Sequence, residues 1–252
     1  MIDETARHLI EARRTQHAVS ALGCCPPDAQ AAYAAQDAVA QACGWFGNVS
    51  PRYWKSGGPS RQAVLTHAPL PPDGVWSSPA AAGAWPFHMR GIEAEIALRL
   101  GCDVDPALAL RLRLDVNDAV KLVDAMCVSV EIVDSRWVEG LEAPALAKLA
   151  DLQSHGALVL GPWVPFSQRD WLAQVCRVQI GVQPPVERQG THSLANPAFL
   201  LAAWLRHATQ RGHSILAGTV VTTGTWVGIL TASAGDLVSA EFPGIGNATV
   251  QL

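Results

Sequence analysis

Glu93 and Glu95 stand two residues apart in a run, Ile92 to Leu100, in which Ile92, Ala94, Ile96, Leu98 and Leu100 alternate with Glu93, Glu95, Ala97 and Arg99. A period of two is the mark of a strand, so both carboxylates emerge on one face, their backbone origins roughly 6.5 to 7 Å apart. Side chains at that spacing can lean onto one ion. Glu131 lies in Val-Ser-Val-Glu-Ile-Val-Asp, where Val128, Val130 and Ile132 share one face and leave Glu131 on the other. If that face meets the space of Glu93 and Glu95, three carboxylates surround one point, and oxygen-only coordination selects Mg²⁺, Mn²⁺ or Ca²⁺ over zinc. A Glu-x-Glu strand is more often the solvated face of a half-exposed sheet. The apolar company of Glu131 argues instead for a central strand, where an unpaired acidic group implies either a divalent ion or protonation. Asp134 falls on the opposite face, beside Arg136, and reads as a structural ion-pair partner.

The elements that must position these groups follow from periodicity and punctuation. Asp3 can cap a helix carrying Ala6, Leu9 and Ile10, and Asp28 can cap a second, Ala-rich helix ending near Gly44. Together they form an N-terminal helical portion, residues 1–50, ahead of a catalytic core, residues 51–252. From Arg52 onward the period changes to that of strands. A helix is expected from about Asp115 to Met126, then a strand from Cys127 to Trp137. Residues 175 to 182 read as a strand, and Asn196-Pro197 opens a helix that stops at Gly212. Short strands return at 219 to 223, 237 to 242 and 247 to 252, the last two joined by a turn at Pro243-Gly244-Ile245-Gly246. The Pro/Gly-rich stretch 69 to 91 reads as a long loop. Helices first, then many strands with inserted helices, argue for an α+β fold with a rolled, barrel-like mixed sheet.

Bulk properties narrow the class. The 252 residues are 49% hydrophobic and 16% charged, with a formal net charge of −4, which is a globular profile. The densest basic groupings are Arg13-Arg14 and Arg111 with Arg113, too sparse for nucleic acid. The six cysteines are spaced too irregularly for zinc knuckles and are too few for a disulfide-stapled fold, which fits a reducing cytoplasm. Cys24-Cys25 reads as structural, with no cationic cluster nearby to lower a thiol pKa. No apolar signal core and no membrane-length run stand in the sequence, so a soluble, unprocessed, cytoplasmic protein is expected. Nine tryptophans against two tyrosines suggest bulky apolar surfaces, some of them for a subunit interface.

Five motifs in order resemble the fumarylacetoacetate hydrolase superfamily. They are Arg-Gly-Ile-Glu-Ala-Glu-Ile-Ala-Leu (90 to 98), Val-Glu-Ile-Val-Asp-Ser-Arg (130 to 136), Leu-Ala-Asp-Leu-Gln-Ser-His-Gly (149 to 156), the stretch from Leu216 to Gly224, and the stretch from Ala234 to Gly246. Within it, Tyr-Trp-Lys-Ser-Gly-Gly (53 to 58) resembles the lysine-bearing strand of the 2-keto-4-pentenoate hydratase and 4-oxalocrotonate decarboxylase branch. The resemblance implies the C-terminal fold of that superfamily, with Glu93, Glu95 and Glu131 as ligands of Mg²⁺ or Mn²⁺. It implies Lys55, Ser154 and Asp151 as catalytic residues, Asp151 lying near the metal shell, and Thr223, Gly224 and His155 as substrate-binding residues. Of the other histidines, 67, 88, 192, 207 and 213 form no ligand pair near the acidic set and read as hydrogen-bonding residues.

The implied reaction is metal-assisted ketonisation and hydration of 2-hydroxypenta-2,4-dienoate-type acids to a 4-hydroxy-2-oxo acid, Lys55 balancing negative charge on the substrate. Decarboxylation of 4-oxalocrotonate-type 2-oxo acids is the alternative, and a non-catalytic hydratase-like partner subunit a second one. Expected partners are the small acid itself and further copies in a homo-oligomer, with association to a related decarboxylase or an aldolase, and neither nucleic acid nor membrane. Two departures stand out. The hydratases tend to carry an acidic residue where Ser77 and Ser78 stand here, the nearest carboxylate being Asp73, and their Gly before the late-helix proline is replaced in Ala195-Asn196-Pro197. The hydrolases of the superfamily use a His-Glu pair on an N-terminal lid, yet no glutamate lies between Glu11 and Glu93.

Overall fold

The structure is a computed structural model that describes residues 3–47, 49–112 and 116–252. Helices α1 (Glu4–Thr15) and α2 (Ala29–Ala42) come first. Asp28 caps α2 by accepting from the Ala31 N–H at 2.8 Å, whereas Asp3 stands at the N-cap position of α1 without a side-chain cap bond. The core then begins with β1 (Tyr53–Gly57), β2 (Thr66–Pro69), β3 (Val75–Ser77), β4 (Ala80–Ala81) and β5 (Gly91–Leu100). Helices α3 (Pro106–Arg111) and α4 (Val116–Ala119) lead to β6 (Val123–Val133), α5 (Ala145–Ala150), β7 (His155–Leu160) and β8 (Val164–Pro165). After β9 (Val175–Ile180) and β10 (Val186–Gln189) come α6 (Leu201–Thr209), β11 (Val220–Thr222), β12 (Leu230–Thr231), β13 (Leu237–Phe242) and β14 (Gly246–Gln251).

Two expectations are corrected. Val123 pairs with Leu100, so β6 starts inside the span expected to be helical and runs its whole length against β5. Among the described residues there, Val116–Ala119 and a 3-10 turn, Val120–Leu122, are the helical ones. A ladder along a ten-residue neighbour satisfies every backbone group in turn, and this outweighs local helix preference. Asp115, where that helix was expected to begin, and Arg113 lie outside the described residues. The stretch 69 to 91 is not a plain loop either: β3 pairs with β7 and β4 with β14, so it stitches one sheet to the other.

The strands form a nine-stranded mixed sheet in the order β2-β1-β11-β5-β6-β7-β3, with β12 on β5 and β8 on β6, and a five-stranded sheet in the order β10-β9-β13-β14-β4. The larger sheet curls, giving an α+β fold with N-terminal helices and a half-barrel. One face of β5 and β6, carrying Ile92, Ile96, Val128, Val130 and Ile132, packs against Val178, Val238, Ala240 and Val250 of the second sheet. Helices α1 and α2 share a separate core with α5 through Leu9, Ala32, Val39, Trp137, Ala147 and Leu149. The opposite face of β5 and β6 holds Ala97 and Cys127 beside Leu70 and Leu158, and also the three glutamates. Among the described residues no helix is long and apolar enough to cross a membrane.

Candidate metal centre

The antiparallel register of β5 and β6 sets Glu93 directly opposite Glu131 and Glu95 opposite Ser129. With alternation along each strand, this brings all three carboxylates to one face, where oxygens from each lie within 4.8 Å of one another. Glu95 is 2% exposed and Glu131 fully buried. Burial, then the neighbouring carboxylates, push Glu93 up to about 8 and Glu95 up to about 7. Burial would raise Glu131 as well, but Lys55 and His155 overcome it and hold that group below its usual range.

Lys55 on β1 is placed by parallel pairing with β11, Lys55 opposite Thr222, while Thr222 lies opposite Ala97 of β5. These three positions share the glutamate face. The Lys55 ammonium donates to Glu131 Oε1 at 2.5 Å and to the Gln153 carbonyl at 3.2 Å. Burial alone would lower its pKa, and the three carboxylates, Glu131 foremost, raise it above the ordinary lysine value. With all three carboxylates ionised, as a bound cation would hold them, the one ammonium leaves two negative charges in excess. Glu131 Oε2 is buried with no hydrogen-bond partner. An all-oxygen set with two surplus charges and an unmet acceptor fits a hard divalent cation.

Glu95 is held from behind. The Thr222 hydroxyl and the Gly224 N–H, the latter at 2.9 Å, both donate to Glu95 Oε2, and Thr222 also meets Ser129 at 3.0 Å. Thr222 escaped the sequence reading, which chose Thr223. Strand parity decides between them: Thr223 turns away and donates to the Ile96 carbonyl at 2.7 Å. The pairing of β11 with β5 would have identified Thr222, but it is not visible in the sequence.

The segment after α5 makes a left-handed turn in which Leu152, Gln153 and Ser154 have φ of 51°, 57° and 59°. Three consecutive non-glycine residues there are costly unless their surroundings enforce it. The enforcement is visible on either side. Asp151 accepts from the Arg136 N–H at 2.9 Å, from Arg136 Nε at 2.7 Å and from Arg13 of α1 at 3.1 Å, and the Asp134 N–H donates to the Ser154 carbonyl at 2.8 Å. Both Asp151 oxygens are thus engaged by Arg136 and Arg13. The turn directs the Gln153 carbonyl at Lys55 and leaves Ser154 Oγ buried and unpartnered. In the sequence Arg13 stands only in a sparse basic pair that reads as a solvated helix face, and Gln153 only within the motif 149 to 156, so neither shows its part in the site. Asp134 pairs with Arg136 as expected, at 3.4 Å, and also caps the His88 and Met89 N–H groups.

His155 is 2% exposed and its Nδ1 lies 3.0 Å from Glu131 Oε1. The remaining histidines stay outside this cluster. His67 meets Ser56 at 2.8 Å and burial pushes it down to about 3, while His192 meets the Thr223 carbonyl at 2.9 Å. At the departure from the hydratase pattern, Ser78 hydrogen-bonds Leu160 and Thr249 through its backbone and side chain, Ser77 is exposed, and Asp73 is exposed in a 3-10 turn. All six cysteines are free, and burial holds Cys24 above its ordinary value and Cys176 at about 12, in keeping with a structural role.

Comparison with known proteins agrees with this geometry. Residues 54–252 match the family described as fumarylacetoacetate (FAA) hydrolase C-terminal. A 4-oxalocrotonate decarboxylase from Pseudomonas putida G7, complexed with calcium and acetate, is similar over 98% of this chain and 95% of that one, at 19% identity and a TM-score of 0.79. Its complex with magnesium and adipate gives 18% identity and 0.78 over the same shares. Fumarylpyruvate hydrolase from Pseudomonas aeruginosa, in complex with Mn²⁺ and pyruvate, is similar over 81% of this chain and 89% of that one, at 15% identity and a TM-score of 0.54. At such identities what is shared is the fold.

Proposed function

We propose, from the premise that this chain belongs to the fumarylacetoacetate hydrolase C-terminal family, that it is a divalent-metal-dependent lyase acting on enol-pyruvyl acids. Its reaction is hydration of a 2-hydroxypenta-2,4-dienoate-type acid to a 4-hydroxy-2-oxo acid. The observation that carries this reading is the convergence of Glu93, Glu95 and Glu131 with the buried Lys55 ammonium. Glu93, Glu95 and Glu131 hold Mg²⁺ or Mn²⁺, which supplies Lewis acidity to the developing negative charge of the substrate head group. Lys55, kept protonated by its carboxylate neighbours, balances the charge that remains. Ser154 offers an unpartnered hydroxyl to the substrate, and just past β11 the Gly224 N–H steadies Glu95, while Thr223 turns its hydroxyl away to the Ile96 carbonyl. Asp151 acts through the turn it anchors, because both its oxygens are committed to arginines. Ala97, Cys127 and Leu158, all buried, lie on the same sheet face as the cluster.

Decarboxylation of a 4-oxalocrotonate-type 2-oxo acid is the second reading, supported by the end-to-end likeness to the Pseudomonas putida decarboxylase. Both reactions use the same electron sink, so the far end of the substrate decides between them. The test is an ultraviolet assay of 2-hydroxypenta-2,4-dienoate and of 2-hydroxymuconate-type acids with Mg²⁺ and with Mn²⁺, alongside CO₂ capture. Loss of the dienol band without CO₂ supports hydration, and CO₂ release supports decarboxylation. Cation binding with no turnover of either acid would leave the non-catalytic partner subunit as the surviving alternative.

A further inference from the structure

We propose that His155 is a positioning residue of the metal centre: together with Lys55 it occupies one oxygen of Glu131, so that Glu131 serves the cation through the other oxygen alone, which biases the site toward small octahedral ions. The inference rests on the reading of the three glutamates as ligands, and it goes beyond that reading in assigning one oxygen of one ligand and a selectivity to a neighbouring side chain.

Glu131 Oε1 accepts from Lys55 Nζ at 2.5 Å and from His155 Nδ1 at 3.0 Å, whereas Glu131 Oε2 is buried without a partner. An ionised carboxylate only accepts, so the imidazole proton resides on Nδ1. Two donors on one oxygen orient the carboxylate and leave its second oxygen for the ion.

The backbone supplies this contact through an irregularity. In β7, Leu158 lies opposite Glu131 and Ala157 opposite Ile132, so regular pairing would set Gly156 opposite Val133. The register instead shifts between Ile132 and Val133, and His155 takes that place. Residues 158 and 160 of β7 share the glutamate face; an odd-numbered residue would point away without the shift. A bulge re-aims the imidazole onto Glu131. Gly156 is what permits it, since a Cβ there would meet both the Asp134 side chain and the Ile132 carbonyl at 2.7 Å.

Mg²⁺ and Mn²⁺ favour octahedral sites with carboxylates bound through single oxygens, whereas Ca²⁺ takes six to eight oxygens and commonly both of one carboxylate. Freeing Glu131 Oε1 from His155 therefore relaxes the discrimination against the larger ion. Full-length protein, wild type and with His155→Ala, His155→Leu or His155→Asn, is titrated with Mn²⁺ by electron paramagnetic resonance of the free ion, and with Ca²⁺ by competition. His155→Ala and the bulk-keeping His155→Leu are expected to weaken Mn²⁺ binding by about 10- to 100-fold, the usual effect of losing such a supporting hydrogen bond. Ca²⁺ binding should weaken less, so the Mn²⁺-to-Ca²⁺ affinity ratio falls. His155→Asn, whose amide places a donor near the Nδ1 position, should restore most of that ratio. If whichever of the Ala and Leu variants retains the wild-type circular dichroism spectrum also keeps the wild-type ratio, His155 has no such role. Failure of the wild-type protein to take up Mn²⁺ would instead overturn the underlying ligand assignment.

Discussion

Lys55 and the three glutamates form a unit whose members cannot be understood singly. A buried lysine would ordinarily lose its proton, and a buried glutamate would gain one. Here the ammonium steadies Glu131 while Glu93 and Glu95, at about 8 and about 7, retain protons near neutrality until a cation replaces them. Replacing Lys55 with Met removes the charge that faces substrate without removing a ligand. Its kcat should fall by about 100- to 1000-fold, as when one electrostatic donor is lost, with Mn²⁺ affinity changed less, because the lost hydrogen bond to Glu131 and the removed positive charge act on the cation in opposite directions. Steady-state kinetics paired with Mn²⁺ titration reads both, and an unchanged kcat would remove Lys55 from the chemistry. The same groups fix a pH dependence. Glu93 and Glu95 have folded values above the unfolded 4.5, so the cation-free native chain holds more protons than the unfolded chain, and stability falls as pH rises toward 8. Depressed histidines such as His67 and His192 act in the opposite sense, and their effect fades only about one pH unit above the unfolded value of 6.5. Above about pH 7.5, urea melts of chelator-treated protein should therefore show declining stability with rising pH. Saturating Mg²⁺, which keeps both carboxylates ionised, should flatten the profile, and a flat or rising profile without metal would contradict the shared-proton picture.

Elements act here by parity and by interruption. Two antiparallel strands in one register bring acidic residues 38 positions apart face to face, 131 against 93, and a parallel strand adds Lys55 beside them. One bulge turns His155 onto the glutamate face, and one left-handed turn sends a carbonyl to Lys55. That turn is anchored from two directions, by Arg136 at the end of β6 and by Arg13 of α1, so the N-terminal helices bear on the site through Asp151. Asp151→Asn would leave two largely buried guanidinium groups short of a counter-charge. Breaking a buried pair in this way costs about 3 to 5 kcal/mol, measurable as a lower denaturant midpoint. A midpoint equal to wild type would show that the turn holds its shape without the arginine clamp.

At the scale of the molecule, two sheets enclose one apolar core and the helices close another, while the acidic cluster occupies the remaining face of the larger sheet. Like charges set directly opposite each other oppose that packing, and a native-state cation relieves the repulsion. Binding only to the folded chain, Mg²⁺ or Mn²⁺ at 100 times its Kd should add about 2.7 kcal/mol of stability. In calorimetry this corresponds to a rise in Tm of roughly 5 to 10 °C for a chain of this size. Glu131→Gln should abolish the rise while preserving the cooperative melt. A wild-type Tm that ignores both ions would exclude the metal centre.

The sequence alone determined what short-range regularity can carry. Alternation marked β5 and put Glu93 and Glu95 on one face, the apolar neighbours of Glu131 marked a central strand, and capping residues marked α2 and the 3-10 turn, Pro197–Leu200, that leads into α6. Ordered motifs were enough to point to the family and to Lys55. What remained hidden depends on pairing between distant segments. The start of β6 at Val123, the recruitment of Val75–Ser77 and Ala80–Ala81 into the sheets, and the choice of Thr222 over Thr223 were all decided by which strand lies alongside which. The Arg13–Asp151–Arg136 clamp and the placing of His155 on Glu131 belong to the same class. Local preference differs little between the competing conformations at such positions, and the hydrogen bonds and burial that separate them exist only once the chain has closed on itself.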